Sequence, residues 1–120
     1  MNYEDVYKMD PVVLIQWLRN TCVVPMPSSI ETPEDMQLAS ELMLKLSNSH
    51  VYLLELLSYG KIMVRRAKRE LPKEEYEDMI DRQNAVQNAF DMVKQQYAVL
   101  SRAVTIKSER NRELQMEGCF

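Results

Sequence analysis

Mostly apolar positions in the last third of the chain recur at alternating intervals of three and four. The row is Tyr76, Met79, Gln83, Val86, Phe90, Val93, Tyr97, Leu100, Val104, Lys107, Asn111 and Leu114, which is the heptad seam of a long packed helix. Neither Gly nor Pro interrupts the row, so the spacing predicts one helix over residues 72–116, the seam alone spanning roughly 60 Å at ~1.5 Å per residue. A second row, Ala85, Ala89, Met92, Gln96, Val99, Ala103 and Ile106, widens the apolar face beyond what a single partner helix occupies.

The partner is written in the same spacing. Ala39, Met43, Leu46, His50, Leu53, Leu57, Gly60, Val64, Ala67 and Leu71 form a second seam. Thr32-Pro33-Glu34-Asp35 supplies a start for it, with an N-cap hydroxyl, a proline in the first turn and acids at the positive end of the helix dipole. Leu71-Pro72 supplies the stop, because proline lacks an N–H and pushes the preceding residue out of helix. The expectation is a helix over 33–70 that turns at the proline and packs antiparallel on 72–116.

Upstream, Asp10-Pro11 opens a short helix to about Asn20, preceded by one or two loose turns over residues 2–9. Val13, Leu14, Trp17 and Leu18 give it an apolar stripe with Trp17 as a packing anchor, and it is too short to stand alone. Residues 21–32 hold two prolines and a serine pair beside Val23, Val24, Met26 and Ile30. That mixture predicts an ordered, extended strap rather than a free linker, with a peptide-recognition arm as the other reading. The fold class is therefore all-α: one domain, residues 1–120, with a 1–20 helical segment, a 21–32 strap and the long hairpin.

Composition agrees and adds charge polarity. Two Gly, two Phe and nine Met in 120 residues leave little material for sheet. Residues 1–60 carry 3 Lys+Arg and 8 Asp+Glu, whereas residues 61–120 carry 12 and 10. The polarity suits steering or head-to-tail association. No run approaches the ~18 apolar residues of a membrane span, and no signal-like start is present, so the expectation is a cytoplasmic protein with no membrane contact. Cys22 and Cys119 have neither CxxC spacing nor a neighbouring His, which argues for reduced thiols and against a metal site; no cofactor is expected.

Several groups are candidates for function. Tyr52, Leu56, Tyr59, Ile62 and Met63 lie off the inner seam in a segment that is apolar nearly all round, which makes them a candidate partner surface, most simply for self-association. Lys61, Arg65, Arg66, Lys68 and Arg69 form a basic run suited to phosphates or nucleic acid. The blander reading is a solvated cluster paired with Glu74, Glu75, Glu77, Asp78 and Asp81 across the turn. Ser101, Arg102, Thr105 and Lys107 are a candidate pocket for a small phosphate-bearing nucleotide. Polar groups on or beside the seam, Gln83, Gln96, Lys107 and Asn111, read alternatively as fixing register and oligomer state. His50, the single histidine, reads as a hydrogen-bonded core residue facing Phe90 to Val93 and Tyr97. No nucleophile or carboxylate is placed beside it, so no enzyme is expected.

The string YEDMIDRQNAVQNAFDMVKQQYAVLSRAVTIKSERNREL, with the preceding LLELLSYGKIMVRRAKRE, resembles small all-helical proteins of unknown function encoded by tailed bacteriophages. The resemblance covers about the last seventy residues. It implies a phage-encoded protein in the host cytoplasm that binds a host or phage protein in counter-defence, replication or assembly. The functional expectation is a non-catalytic, oligomeric helical binding protein. The alternatives are a sequestering protein for a small nucleotide and a nucleic-acid accessory protein using residues 61–69.

Overall fold

Side chains that satisfy backbone donors set the helix starts. Asn2 accepts from the Asp5 amide at 2.9 Å and opens α1, Tyr3–Val6. Asp10 accepts from Val12 and Val13, at 3.1 and 3.4 Å, and opens α2, Pro11–Cys22. Thr32 and Asp35 form a reciprocal capping box at the start of α3, Pro33–Glu70: the Asp35 amide donates to Thr32 Oγ1 and the Thr32 amide to Asp35 Oδ2, both at 3.1 Å. The Asp35 carboxylate also accepts from the Glu31 amide, and this bond, followed by that from Thr32, holds its pKa below the usual value. Leu71 is extended, as a residue before proline must be, and α4, Lys73–Gly118, follows at once. The computed structural model describes residues 2–118, with side chains over 2–114; Cys119 lies outside the described residues.

The described chain is all-helical, and α3 and α4 pack against each other as a long antiparallel hairpin in a body of 73 × 20 × 19 Å. Its core runs along the two seams, through Ala39, Leu46, Leu53, Leu57 and Ala67 on α3 and Met79, Val86, Val93 and Leu100 on α4. Two side chains of α4 orient α2 on this hairpin. Arg82 Nε donates to the Met9 carbonyl at 2.6 Å just before α2 begins, and Gln96 grips Val24 just after it ends. Thus α2 runs parallel to α4 and antiparallel to α3.

The buried line of α2 is Leu14, Leu18 and Cys22, spaced by fours because the helix continues to Cys22 rather than ending at Asn20. This corrects the expected stripe at one position. Val13 sits one residue off the line and is exposed, while Trp17 is half-buried beside it. Burial pushes the Cys22 thiol pKa up, opposed by the nearby Lys45 charge. No helix among the described residues is long and apolar enough to cross a membrane.

Candidate interaction site

The N-terminal segment occupies the place where the sequence suggests a partner. Tyr3 packs against Tyr52 and Tyr59 with ring centroids 5.7 and 5.9 Å apart, and Tyr7 packs against Tyr59 at 5.8 Å. The Tyr3 hydroxyl donates to the Glu55 carboxylate. Of the five residues read as a partner surface, Leu56 is fully buried, Tyr52, Tyr59 and Met63 pack against the core, and Ile62 is exposed. The chain itself covers Leu56 fully and the three that pack against the core in part. The sequence pattern counts apolar circumference but does not show that a four-residue helix folds back onto it.

Tyr7 reaches furthest into the bundle. Its hydroxyl donates to Gln83 Oε1 and lies 3.2 Å from the Leu56 carbonyl oxygen, while Gln83 Nε2 donates to the Leu57 carbonyl at 3.2 Å. Gly60 makes the space: a methyl group there would overlap Gln83 Oε1 and the Tyr7 hydroxyl. Burial, with Tyr52 and Tyr59 nearby, pushes the Tyr7 pKa well above its ordinary value.

Gln96 does similar work on the strap. It accepts from the Val24 amide at 3.1 Å and donates to the Val24 carbonyl at 2.8 Å, satisfying both backbone groups of one buried residue. Both glutamines that the seam pattern reads as register-setting groups therefore hold the chain's own N-terminal segment. What distinguishes them is a partner more than seventy residues away, the Tyr7 hydroxyl for Gln83 and the Val24 backbone for Gln96, which periodicity does not report.

His50 meets the core through its ring, stacked on Phe90 at 4.8 Å and 28°. No hydrogen bond to it occurs among the described residues, which corrects the expected hydrogen-bonded core histidine. It lines an open groove of about 400 Å³ with Ser47, Val51, Val93, Lys94 and Tyr97. The Lys94 ammonium lies 5.5 Å above the Phe90 ring, a cation–π contact at the rim. Asp91 points elsewhere, accepting from Gln87 at 3.1 Å. Among the described residues no charged side chain is buried, and no three carboxylate, His or Cys groups gather in metal-binding geometry.

The candidate nucleotide residues divide between two surfaces. Arg102 opens on the back of α4 with Gln95, Val99, Ala103 and Ile106, whereas Lys107 lines a cleft with Glu31, Thr32, Ser40 and Asn111. Ser101 is half-buried and Thr105 exposed. Five residues separate the two cations, about 140° around a helix, so one small anion does not meet both. The basic run Lys61, Arg65, Arg66, Lys68 and Arg69 is exposed throughout, with Arg65, Arg66 and Arg69 around a shallow depression beside Ile62 and Glu70. The ion pairs among the described residues are Lys8–Glu4 at 2.9 Å and Lys73–Glu77 at 4.0 Å. The cross-turn pairing expected of the basic run is therefore not formed: its side chains project into solvent.

Two apolar stripes stay uncovered. One follows the back of α4 through Met92, beside the last turn of α2, and on through Val99 and Ile106 beyond it; the other follows the outer face of α3 through Leu44, Val51, Leu54 and Ile62. Comparison with protein-family models, curated proteins and solved structures found no match to this chain.

Proposed function

We propose that the protein is a non-catalytic helical binding protein whose partner docks a helix along the back of α4. The observation that carries this reading is the spacing and exposure of Met92, Val99 and Ile106. They stand seven residues apart on an uninterrupted helix, with Ala98, Ala103 and Arg102 between them. A heptad row with small residues beside it accepts the knobs of another helix, and Arg102 adds a place for a carboxylate. On the phage resemblance, the partner is a host or phage protein. Affinity capture with wild-type protein and with a Val99→Asp/Ile106→Asp variant tests the reading. A partner lost by the variant, with helicity unchanged, supports it; equal capture by both, or none by either, removes it.

A second reading, nucleic-acid association through residues 61–69, is favoured by the absence of acid partners for those side chains among the described residues. Fluorescence anisotropy at about 150 mM salt separates the two. Replacing Arg65, Arg66 and Arg69 by Gln flattens the salt dependence of binding only if they contact phosphates.

A further inference from the structure

We infer that a second copy of this chain covers the outer face of α3, the two α3 helices packing antiparallel about a twofold axis at Tyr52–Leu53. The face is unpartnered within one chain: Leu44 is 65 % exposed, Val51 57 %, Leu54 49 % and Ile62 53 %. With Ser47 and Ser58 the stripe reads apolar, Ser, apolar, apolar, Ser, apolar in either direction, its spacing symmetric from Ser47 to Ser58 and one residue longer at the Ile62 end. Turned end for end, Ser47 meets Ser58 and Val51 meets Leu54 about a midpoint at Tyr52–Leu53, and Leu44 meets Ile62 about Leu53, half a residue along the helix. Such self-complementarity is what an isologous interface requires, because each residue must suit its symmetry-related counterpart.

Chemistry along the face agrees with the register. The Ser58 hydroxyl already donates to the Leu54 carbonyl of its own helix at 3.1 Å, so burying it strands no donor. Small residues opposite one another let the helices approach closely. Charge selects antiparallel over parallel. The first turns of α3 carry Glu34, Asp35 and Glu41, and the last carry Arg65, Arg66, Lys68 and Arg69. Antiparallel packing sets the acidic end of each copy beside the basic end of the other, with Glu41 flanking Arg66 of its counterpart; parallel packing would stack like on like. The cations without an acid partner inside the chain find one in the second copy.

This α3 interface is separate from the α4 face proposed above. Light scattering coupled to size exclusion is expected to give twice the 14.1 kDa chain mass. Val51→Asp is expected to give monomers of unchanged helicity. Glu41→Arg and Arg66→Glu should each weaken dimerisation about tenfold, the coupling a close interfacial charge pair supplies, and the double variant should recover most of it. In a Cys119→Ser background, Ser47→Cys mixed with Ser58→Cys should form an intermolecular disulfide that neither forms alone. Wild-type monomer at tens of micromolar, a dimer indifferent to Val51→Asp, or self-linking by Ser47→Cys alone would overturn the interface. Any of these leaves partner capture through Val99 and Ile106 untouched, so failure here and failure of the proposed function are told apart.

Discussion

At Gly60 the ordinary preference of a helix is reversed. Replacing an interior helical glycine with alanine is normally favourable by about 1 kcal/mol. Here the added methyl collides with Tyr7 and Gln83, so Gly60→Ala is expected to lower the melting temperature, while the same change in a Tyr7→Ala/Gln83→Ala background raises it. A midpoint for Gly60→Ala above wild type would show that the Tyr7 insertion is not formed. Tyr7 also imposes a pH dependence. Its folded pKa is raised by burial, so its contribution is complete below the unfolded value of ~10 and fades as pH rises above it. Tyr7→Phe should therefore melt lower than wild type at pH 7 yet lose less stability between pH 9 and pH 11. Sequence placed Gly60 on the α3 seam but gave no reason for a glycine there, since the reason is a tyrosine fifty-three positions earlier.

Helix boundaries were the most legible features. Thr32-Pro33 and Leu71-Pro72 act through local sterics and capping, which adjacent residues specify. The pairing of α3 with α4 was legible for a related reason: a short turn and two seams leave one antiparallel register, and His50 does meet Phe90. The seam was less informative about where packing stops. Leu46 and Leu100 are buried, and alanine at either should cost about 2–5 kcal/mol. Leu114 holds an equivalent place in the row but is 65 % exposed, because α4 extends beyond the start of α3. Leu114→Ala should change stability by less than about 0.5 kcal/mol in denaturant titration. The strap depends on Gln96. Gln96→Glu keeps an acceptor for the Val24 amide and loses the donor to its carbonyl, which should cost about 1–3 kcal/mol and speed hydrogen exchange at the Val24 amide.

For the molecule as a whole, the N-terminal thirty residues complete the core that α3 and α4 leave open. Removing residues 1–9 would uncover Leu56, Tyr52 and Tyr59. The shortened chain should bind a hydrophobic dye strongly and form species larger than the full chain does, both readable by fluorescence and light scattering. The candidate functional residues were legible as chemistry and not as places. Composition revealed an excess of apolar circumference and a basic run, but which apolar residues remained for a partner depended on where thirty non-hairpin residues came to rest.

The parallel course of α2 along α4 places an earlier-made segment against one made some seventy residues later. At translation rates of about 5–20 residues per second, Val6, Tyr7, Leu14 and Leu18 leave the ribosome several seconds before Gln83, Ala89 and Gln96 exist to receive them. During that interval the nascent chain carries an unsheltered apolar segment too short to hold a helix alone. Production of this protein should therefore be more sensitive to holdase chaperones and to pauses while α4 is being made than a short hairpin made of local contacts would be.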